Sequence, residues 1–417
     1  MREMKDSGIE WVGQIPKGWE LRRAKTLFTQ RNSKGNEIEV LLSPTQKYGV
    51  VPQSQLEGVV QVKEDTDLQM FKTVHKGDFV ISLRSFQGGF EYSLYEGVCS
   101  PAYQVFYPTS PICDTYYRYL FKSQSFISKM NNLTVGIREG KNIQYVDFAN
   151  SQIPVPPLAE QERIAAFLDA ECAEIDAVLE KTRASIEEYK KLKQAVITQA
   201  VTKGIRGDRP MKDSGIEWIG EIPAEWSVVP FSKFARVSAN LVNPSDYQDY
   251  LQVSPENIEK DSGKLLPCKT VSEVGVESWN HFFHKGQILY SKIRPKLNKV
   301  CIAPFDGLCS ADMYPIDTDN ISKFVVYTIL SNDFNQQVAM ITENRVKMPK
   351  INQKELSKII VVLPANRMEQ QEIVDYLDGE CGKIDALIAK KQQYLTEIEN
   401  YKKSLIYEYV TGKKEVV

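Results

Sequence analysis

The sequence predicts an α+β fold written twice: two similar globular α/β domains joined by two long antiparallel coiled-coil helices, a tandem repeat with a pseudo-two-fold. Three observations carry that reading. The stretch "MKDSGIEWVGQIPKGW" (Met4–Trp19) returns almost unchanged as "MKDSGIEWIGEIPAEW" (Met211–Trp226). Other short echoes follow it in the same order at a nearly constant offset. Each copy then closes in a long heptad pattern that contains no proline.

The echoes define the organisation. "HKGDFVIS" (His75–Ser82) recurs as "HKGQILYS" (His284–Ser291), and "EGVCSPAY" (Glu96–Tyr103) as "DGLCSADM" (Asp306–Met313). "EQERIAAFLDAECAEIDA" (Glu160–Ala177) recurs as "EQQEIVDYLDGECGKIDA" (Glu369–Ala386), and the offset stays between 207 and 210 throughout. Chance would not hold register from end to end, and the period is too long for a solenoid repeat. Each copy is therefore a domain plus a connector: residues 1–153 and 154–210, then 211–363 and 364–417.

Residues 1–153 and 211–363 carry short β-branched and aromatic runs such as "VLLSPT", "GDFVISL" and "YQVFYP", broken by Gly, Pro and Asn. Short helical patches such as "YYRYLFKSQSFISKM" and "KFVVYTILSNDFNQQVAM" lie between them, which reads as α+β. The connectors differ. Leu168, Cys172, Ile175, Leu179, Thr182 and Ile186 fall at alternating spacings of four and three, as do Leu377, Cys381, Ile384, Ile388, Lys391 and Leu395. That is a coiled-coil seam. Thr182, Lys193, Lys391 and Lys402 interrupt it at matching heptad positions, where a polar residue can fix register. Pro154, Pro156, Pro157 and Pro364 precede the helices, and Gly204 is placed to cap the first. A helix of this length makes a rod of about 65 Å, which the short "KGIRGDRP" cannot retrace. The two helices are therefore expected to pair antiparallel, with one globular domain toward each end.

Composition is that of an ordinary globular chain: 417 residues, 42% hydrophobic and 25% charged, with a net charge of -2. No apolar run approaches the roughly 20 residues that span a bilayer, and the first residues lack the apolar core of a secretory signal. The seven cysteines form no Cys-x-x-Cys pair, which fits a reducing cytoplasm. Cys99 with Cys309, and Cys172 with Cys381, occupy equivalent places and read as small buried hydrophobes. His281 and His284 lack a Cys or carboxylate pair at ligand spacing, so no metal site is expected. Trp11, Trp19, Trp218 and Trp226 flank the opening motifs and read chiefly as packing residues.

Two similar heads related by an approximate two-fold match a target with the same property, and duplex DNA read at two half-sites is such a target. Candidate contacts lie in basic loops at equivalent places. In copy one they are Arg84 and Gln87, then Arg138, Lys141, Asn142 and Gln144. In copy two, "YSKIRPKLNKV" supplies Lys292, Arg294, Lys296 and Lys299. "ENRVKMPKINQKELSK" supplies Arg345, Lys347, Lys350, Asn352 and Gln353. Arg suits guanine, Asn and Gln suit adenine, and Lys suits phosphate. No catalytic residues are expected. The adenine-methyltransferase pattern Asp/Asn/Ser-Pro-Pro-aromatic is absent, "PVPPLA" being the nearest. "GIREGKN" (Gly136–Asn142) lacks the glycine spacing and the Ser or Thr of a phosphate loop.

The order of these motifs resembles the specificity subunit of type I restriction–modification systems. "SGIEW-G-IP-W" opens each variable region, a proline-led "EQ" starts each long helix, and "VT" ends it. The likeness covers essentially the whole chain. One departure is that "VVLPANRMEQ" has a single proline where the first junction has three. The resemblance implies a non-catalytic subunit whose two recognition domains each read half of a bipartite double-stranded DNA target. It implies that the helices set the gap between the halves. It implies two modification (methyltransferase) subunits that use S-adenosylmethionine, and restriction (motor-nuclease) subunits that use ATP and Mg. No cofactor is expected on this chain, and no membrane partner. The competing readings are a stand-alone coiled-coil scaffold with two protein-binding heads, and a solitary enzyme.

Overall fold

The computed structural model describes residues 2–35, 40–56, 67–82, 89–133, 143–345 and 349–416. It divides into two compact units, one of Met1–Thr182 with Gln393–Val417 and the other of Arg183–Gln392. The first long helix, Leu158–Lys203, begins in the first unit and ends in the second. The second, Arg367–Val410, does the reverse. Each unit thus owns one globular domain and half of each helix, so the connectors are not bodies of their own. The expected fold class holds: mixed helix and sheet, repeated, with two long helices.

In the first unit a four-stranded antiparallel sheet runs in the order Phe28–Arg31, Gln104–Pro108, Phe79–Ile81, Phe90–Tyr92. The helix Asp114–Lys122 is amphipathic and buries Tyr116, Tyr117, Leu120 and Phe121. Those rings meet Phe28, Phe79, Phe106 and Phe148 in one aromatic core. The echo "HKGD" is a turn. Asp78 accepts from the His75 N–H at 2.8 Å and holds Arg31 through two bonds of 2.7 and 3.0 Å. Gly97 is required by proximity, because an added Cβ would sit 2.2 Å from the Val40 carbonyl oxygen.

In the second unit the corresponding sheet runs Arg236–Val237, Met313–Asp317, Ile288–Ser291, Val300–Ile302. Its core mixes rings such as Phe231, Phe234, Phe324 and Phe334 with aliphatic side chains, with Ile288, Val325, Ile329 and Val338 fully buried. Gln287 replaces Asp78 in the turn. Its carbonyl accepts from the His284 N–H at 2.8 Å, and its amide donates to Asp317 at 2.8 Å. A further five-stranded sheet packs here, and Gly307 lets its strands close up beside Leu251 and Phe283.

The opening motif does the same work in both units. In the first, Met4–Asp6 pairs with Gln14–Pro16, and Trp19 is buried. The Trp19 indole donates to Glu160 at 2.9 Å, and the Arg2 guanidinium pairs with the other Glu160 oxygen at 2.5 Å. In the second, Met211–Asp213 pairs with Glu221–Pro223. Trp226 donates to Glu369 at 3.0 Å, and Arg209 pairs with Glu369 at 2.5 Å. Each arginine also lies over its tryptophan ring, at 5.3 and 5.1 Å from the centroid. Both glutamates stand in the first turn of a long helix, where the backbone dipole favours a negative charge. The neighbouring glutamines accept from the backbone N–H of the residue that precedes a short domain helix, Cys113 N–H to Gln161 and Ile321 N–H to Gln370, both 3.0 Å.

The other helix end meets the same motif. Gly412, left-handed at φ 71°, has no room for a Cβ beside Pro16 and Trp19. Gly204, at φ 77°, caps the first helix against Trp226, as its place in the sequence suggested.

Within each unit the helix halves run antiparallel. In the first, Phe167 stacks on Tyr409 at 4.4 Å while Asp176 meets Lys402 at 2.7 Å. In the second, Tyr189 lies under Lys391 and Lys193 meets Asp385 at 2.8 Å. Leu168, Ile175, Leu179, Ile186, Leu377 and Ile384 are buried, and Ile388 and Leu395 are half-buried. Cys172 and Cys381 are buried in the seam, and burial raises the Cys381 thiol to about 11. Three of the polar interruptions meet partners across the seam; Thr182 instead donates to the Val178 carbonyl of its own helix at 2.8 Å.

The two lysine–aspartate pairs differ in exposure, and so should differ in strength. The Lys193 side chain is 11% exposed and Lys402 25%, while Asp176 is 59% exposed against 32% for Asp385. Asp385→Ala strands a nearly buried ammonium and is expected to destabilise by about 1.5–3 kcal/mol. Asp176→Ala is expected to lose under about 1 kcal/mol. Thermal unfolding followed by tryptophan fluorescence orders the two variants, and equal losses would refute the burial argument.

Candidate nucleic-acid interface

In the second unit, strands Ile288–Ser291 and Val300–Ile302 form a hairpin whose tip carries Lys292 to Lys299. The segment that carries Arg345 to Gln353 joins the helix Asn332–Thr342 to the short helix Gln353–Leu356. These two stretches are distant in sequence and adjacent in space. Ile293 bridges Lys350 antiparallel, the Arg294 N–H donates to the Pro349 carbonyl at 2.8 Å, and the Ile351 N–H to the Lys292 carbonyl at 2.9 Å. Pro295 and Ile351 are buried beneath them.

The expected contact residues then separate into two groups. Lys299 donates to the Pro255 carbonyl at 2.6 Å, and the Lys292 ammonium lies over the Tyr314 ring at 5.3 Å. Arg345 grips Glu355 through two bonds, of 2.5 and 3.1 Å, and donates to the Lys350 carbonyl. Asn352 caps the short helix: its side chain accepts from the Glu355 N–H at 3.0 Å, and its own N–H donates to the Glu355 carboxylate at 2.9 Å. That carboxylate is held below its usual range, chiefly by the Arg345 bond. Lys292, Lys299, Arg345 and Asn352 thus fix the loops. Arg294, Lys296, Lys350 and Gln353 are exposed. Lys347 lies outside the described residues.

In the first unit the matching hairpin joins Phe79–Ile81 to Phe90–Tyr92, and the matching second loop follows the helix Gln124–Leu133. Arg84, Gln87, Arg138, Lys141 and Asn142 lie outside the described residues. Gln144 stands at the start of the helix Tyr145–Asn150, as Asn352 does in the second unit, with its N–H directed to Asp147 at 3.4 Å. Sequence reasoning missed Glu355 and Tyr314. The first was legible as the capping box "NQKE". The second had no signal, because a ring under a lysine follows from strand register.

The remaining motifs fall elsewhere. Trp19 and Trp226 are buried in packing, Trp11 meets Phe126 edge-on at 5.5 Å, and Trp218 is 46% exposed. His281 is buried, and burial together with the nearby Lys292 charge lowers its pKa. His284 is exposed, 3.8 Å from Asp306. Burial raises the Cys99 thiol to about 12. Among the described residues no group of His, Cys, Asp and Glu could hold a metal ion, and no helix is long and apolar enough to cross a membrane.

Comparison with known proteins follows the same repeat. The family model of the type I restriction modification DNA specificity domain matches residues 16–188 and again 233–400. The chain is similar to the type I restriction enzyme EcoDI specificity subunit of Escherichia coli, 33% identical over 351 residues, covering 78% of this chain and 76% of that one. It is also similar to the type I restriction enzyme MjaVIII specificity subunit of Methanocaldococcus jannaschii, 26% identical over 297 residues, covering 67% and 66%. A chain solved in a study of complex assembly and conformational transition of the type I R-M system shares the fold. Its TM-score is 0.69 at 16% identity, over 96% of this chain and 99% of that one.

If Arg345 is a strut, removing either partner of its ion pair should weaken DNA binding by loosening the loop. Arg345→Ala and Glu355→Ala are each expected to lower affinity roughly threefold to tenfold, the scale of reordering a few loop side chains. A gel shift on the assembled complex checks both. Tighter binding by Glu355→Ala would mean that the freed guanidinium is itself a DNA contact.

Proposed function

The chain belongs to the type I restriction–modification DNA specificity family, and from that premise we propose how it reads DNA. It is the specificity subunit of such a system, and the unit it repeats is the DNA recognition domain. In our reading each domain reads one half of a bipartite duplex, and the paired helices set the gap between the halves. The chain performs no chemistry and binds no cofactor. Two modification subunits bring S-adenosylmethionine and methylate adenines in the target. Restriction subunits bring ATP and Mg for translocation and cleavage. The assembly works in the cytoplasm, with the DNA it surveys.

One observation supports the bipartite reading: in both copies the basic stretches fall at equivalent points of the sequence, one after the strand Phe79–Ile81 or Ile288–Ser291 and one before the short helix Tyr145–Asn150 or Gln353–Leu356. In the second unit those loops project Arg294, Lys296, Lys350 and Gln353. Arginine and glutamine carry base-reading geometry, and lysine is suited to phosphate. In the first unit we assign the equivalent role to Arg84, Gln87, Arg138, Lys141, Asn142 and Gln144. A net charge of -2 does not oppose this, since contact depends on the local surface.

Domain exchange tests it. Replacing residues 21–153 with another recognition domain of the family, co-expressed with the partner methyltransferase, is expected to change one half of the methylated motif and leave the other intact. Methylome sequencing reads both halves at once. Simultaneous change of both halves would show that the domains do not read independently.

A further inference from the structure

Resting on that reading of the loops, we propose that Arg294 is a base-reading residue of the second recognition domain. Its target is the guanine of a G·C pair, approached from the major groove, while Lys296 and Lys350 hold phosphates beside it.

The cations of this loop pair are not equivalent. Arg345 is committed to Glu355, Lys299 to the Pro255 carbonyl and Lys292 to the Tyr314 ring. Arg294, Lys296 and Lys350 are exposed, and among the described residues their side chains make no hydrogen bond or ion pair. Of these three, only Arg294 carries a planar fork of donors. A fork can bond O6 and N7 of guanine together, which an ammonium does with far less directional selectivity.

The backbone singles out the same residue. Arg294 is left-handed, at φ 44° and ψ 52°. Arginine rarely adopts that conformation, and the following Pro295 further disfavours a helical backbone in the residue before it. Glycine or asparagine would sit there with less strain. The surroundings enforce it from both sides: the Arg294 N–H is held by Pro349, and the Arg294 carbonyl accepts from the Leu297 N–H at 2.8 Å. Asn298, left-handed at φ 45° and buried, closes the far side of the turn. Strain of this kind persists where a side chain is needed for something other than packing. The Arg294 side chain covers no core, so its orientation outward is what the strain secures. A guanidinium on a rigid stem loses less freedom on binding than one on a mobile loop.

Arg294→Lys, Arg294→Gly, Lys296→Ala and Lys350→Ala, each in the full chain with its methyltransferase partner, decide the matter. Arg294→Gly should fold at least as stably as the parent, because it relieves the left-handed strain. It should nonetheless relax one G·C position in one half of the methylated motif, with discrimination there falling about 5- to 150-fold. Arg294→Lys should relax the same position, and the other half should be untouched. Lys296→Ala and Lys350→Ala should weaken binding evenly across sequences and flatten its salt dependence. Even weakening by Arg294→Gly, with the motif intact, would make Arg294 a phosphate contact and overturn the proposal. So would an Arg294→Gly protein of unchanged affinity and motif. If instead exchange of residues 227–363 for another recognition domain left the motif unchanged, the failure would belong to the reading of the whole unit.

Discussion

A single carboxylate in the first turn of each long helix holds each unit together. Glu160 and Glu369 each receive an indole N–H and a guanidinium, and both are largely buried. A buried carboxylate without partners would be costly to desolvate, so all three groups stay together or the site opens. The tryptophan adds a second constraint, since burying an indole removes roughly 200 Å² from water, on the order of 5 kcal/mol. The same ring receives the glycine that ends the other helix. The opening motif is therefore a clasp that fixes where one helix starts and where the other stops. A chain with two such pairs of helix ends needs two clasps, which is why the sixteen residues are written twice.

Once the ends are fixed, register follows from the seam. An apolar heptad seam alone permits slippage by whole heptads, because every layer resembles the next. Lys193 with Asp385, and Lys402 with Asp176, remove that freedom, since a slip leaves charges facing apolar neighbours. The pairs are related by the repeat, so each helix supplies one lysine and one aspartate. Duplication of one helix sequence thus yields a self-complementary antiparallel pair with no further change.

Much of this was legible in the sequence. The repeat gave the two domains, the heptads gave the helices, and Gly204 gave a helix end. The clasp was only half legible: its tryptophans and "EQ" motifs were visible, but Arg2 and Arg209 stand outside the matched block, and nothing local connects them to a glutamate some 160 residues away. The basic loops were legible as stretches of the sequence, but the partners of their side chains were not. Charge along the chain marks basic loops, but whether a cation faces solvent or a carbonyl is decided by strand register and distant partners. Lys299 and Lys296 illustrate it: three residues apart on one turn, one is tied to Pro255 and the other is exposed.

The division of labour in those loops has a consequence for how specificity can change. Their conformation is fixed by main-chain bonds from Arg294 to Pro349 and from Ile351 to Lys292, by two buried residues, Pro295 and Asn298, and by the Arg345–Glu355 pair. None of these requires a particular side chain at 296, 350 or 353. A substitution at such a position therefore alters what the surface offers to a base or a phosphate while the core beneath it keeps its packing. Position 294 is the exception, because its left-handed backbone tolerates few residues well, and those that fit most easily lack the fork that guanine selects. On the proposal above, the backbone that fixes the direction of this side chain also limits which residues could replace it without losing the fork of donors.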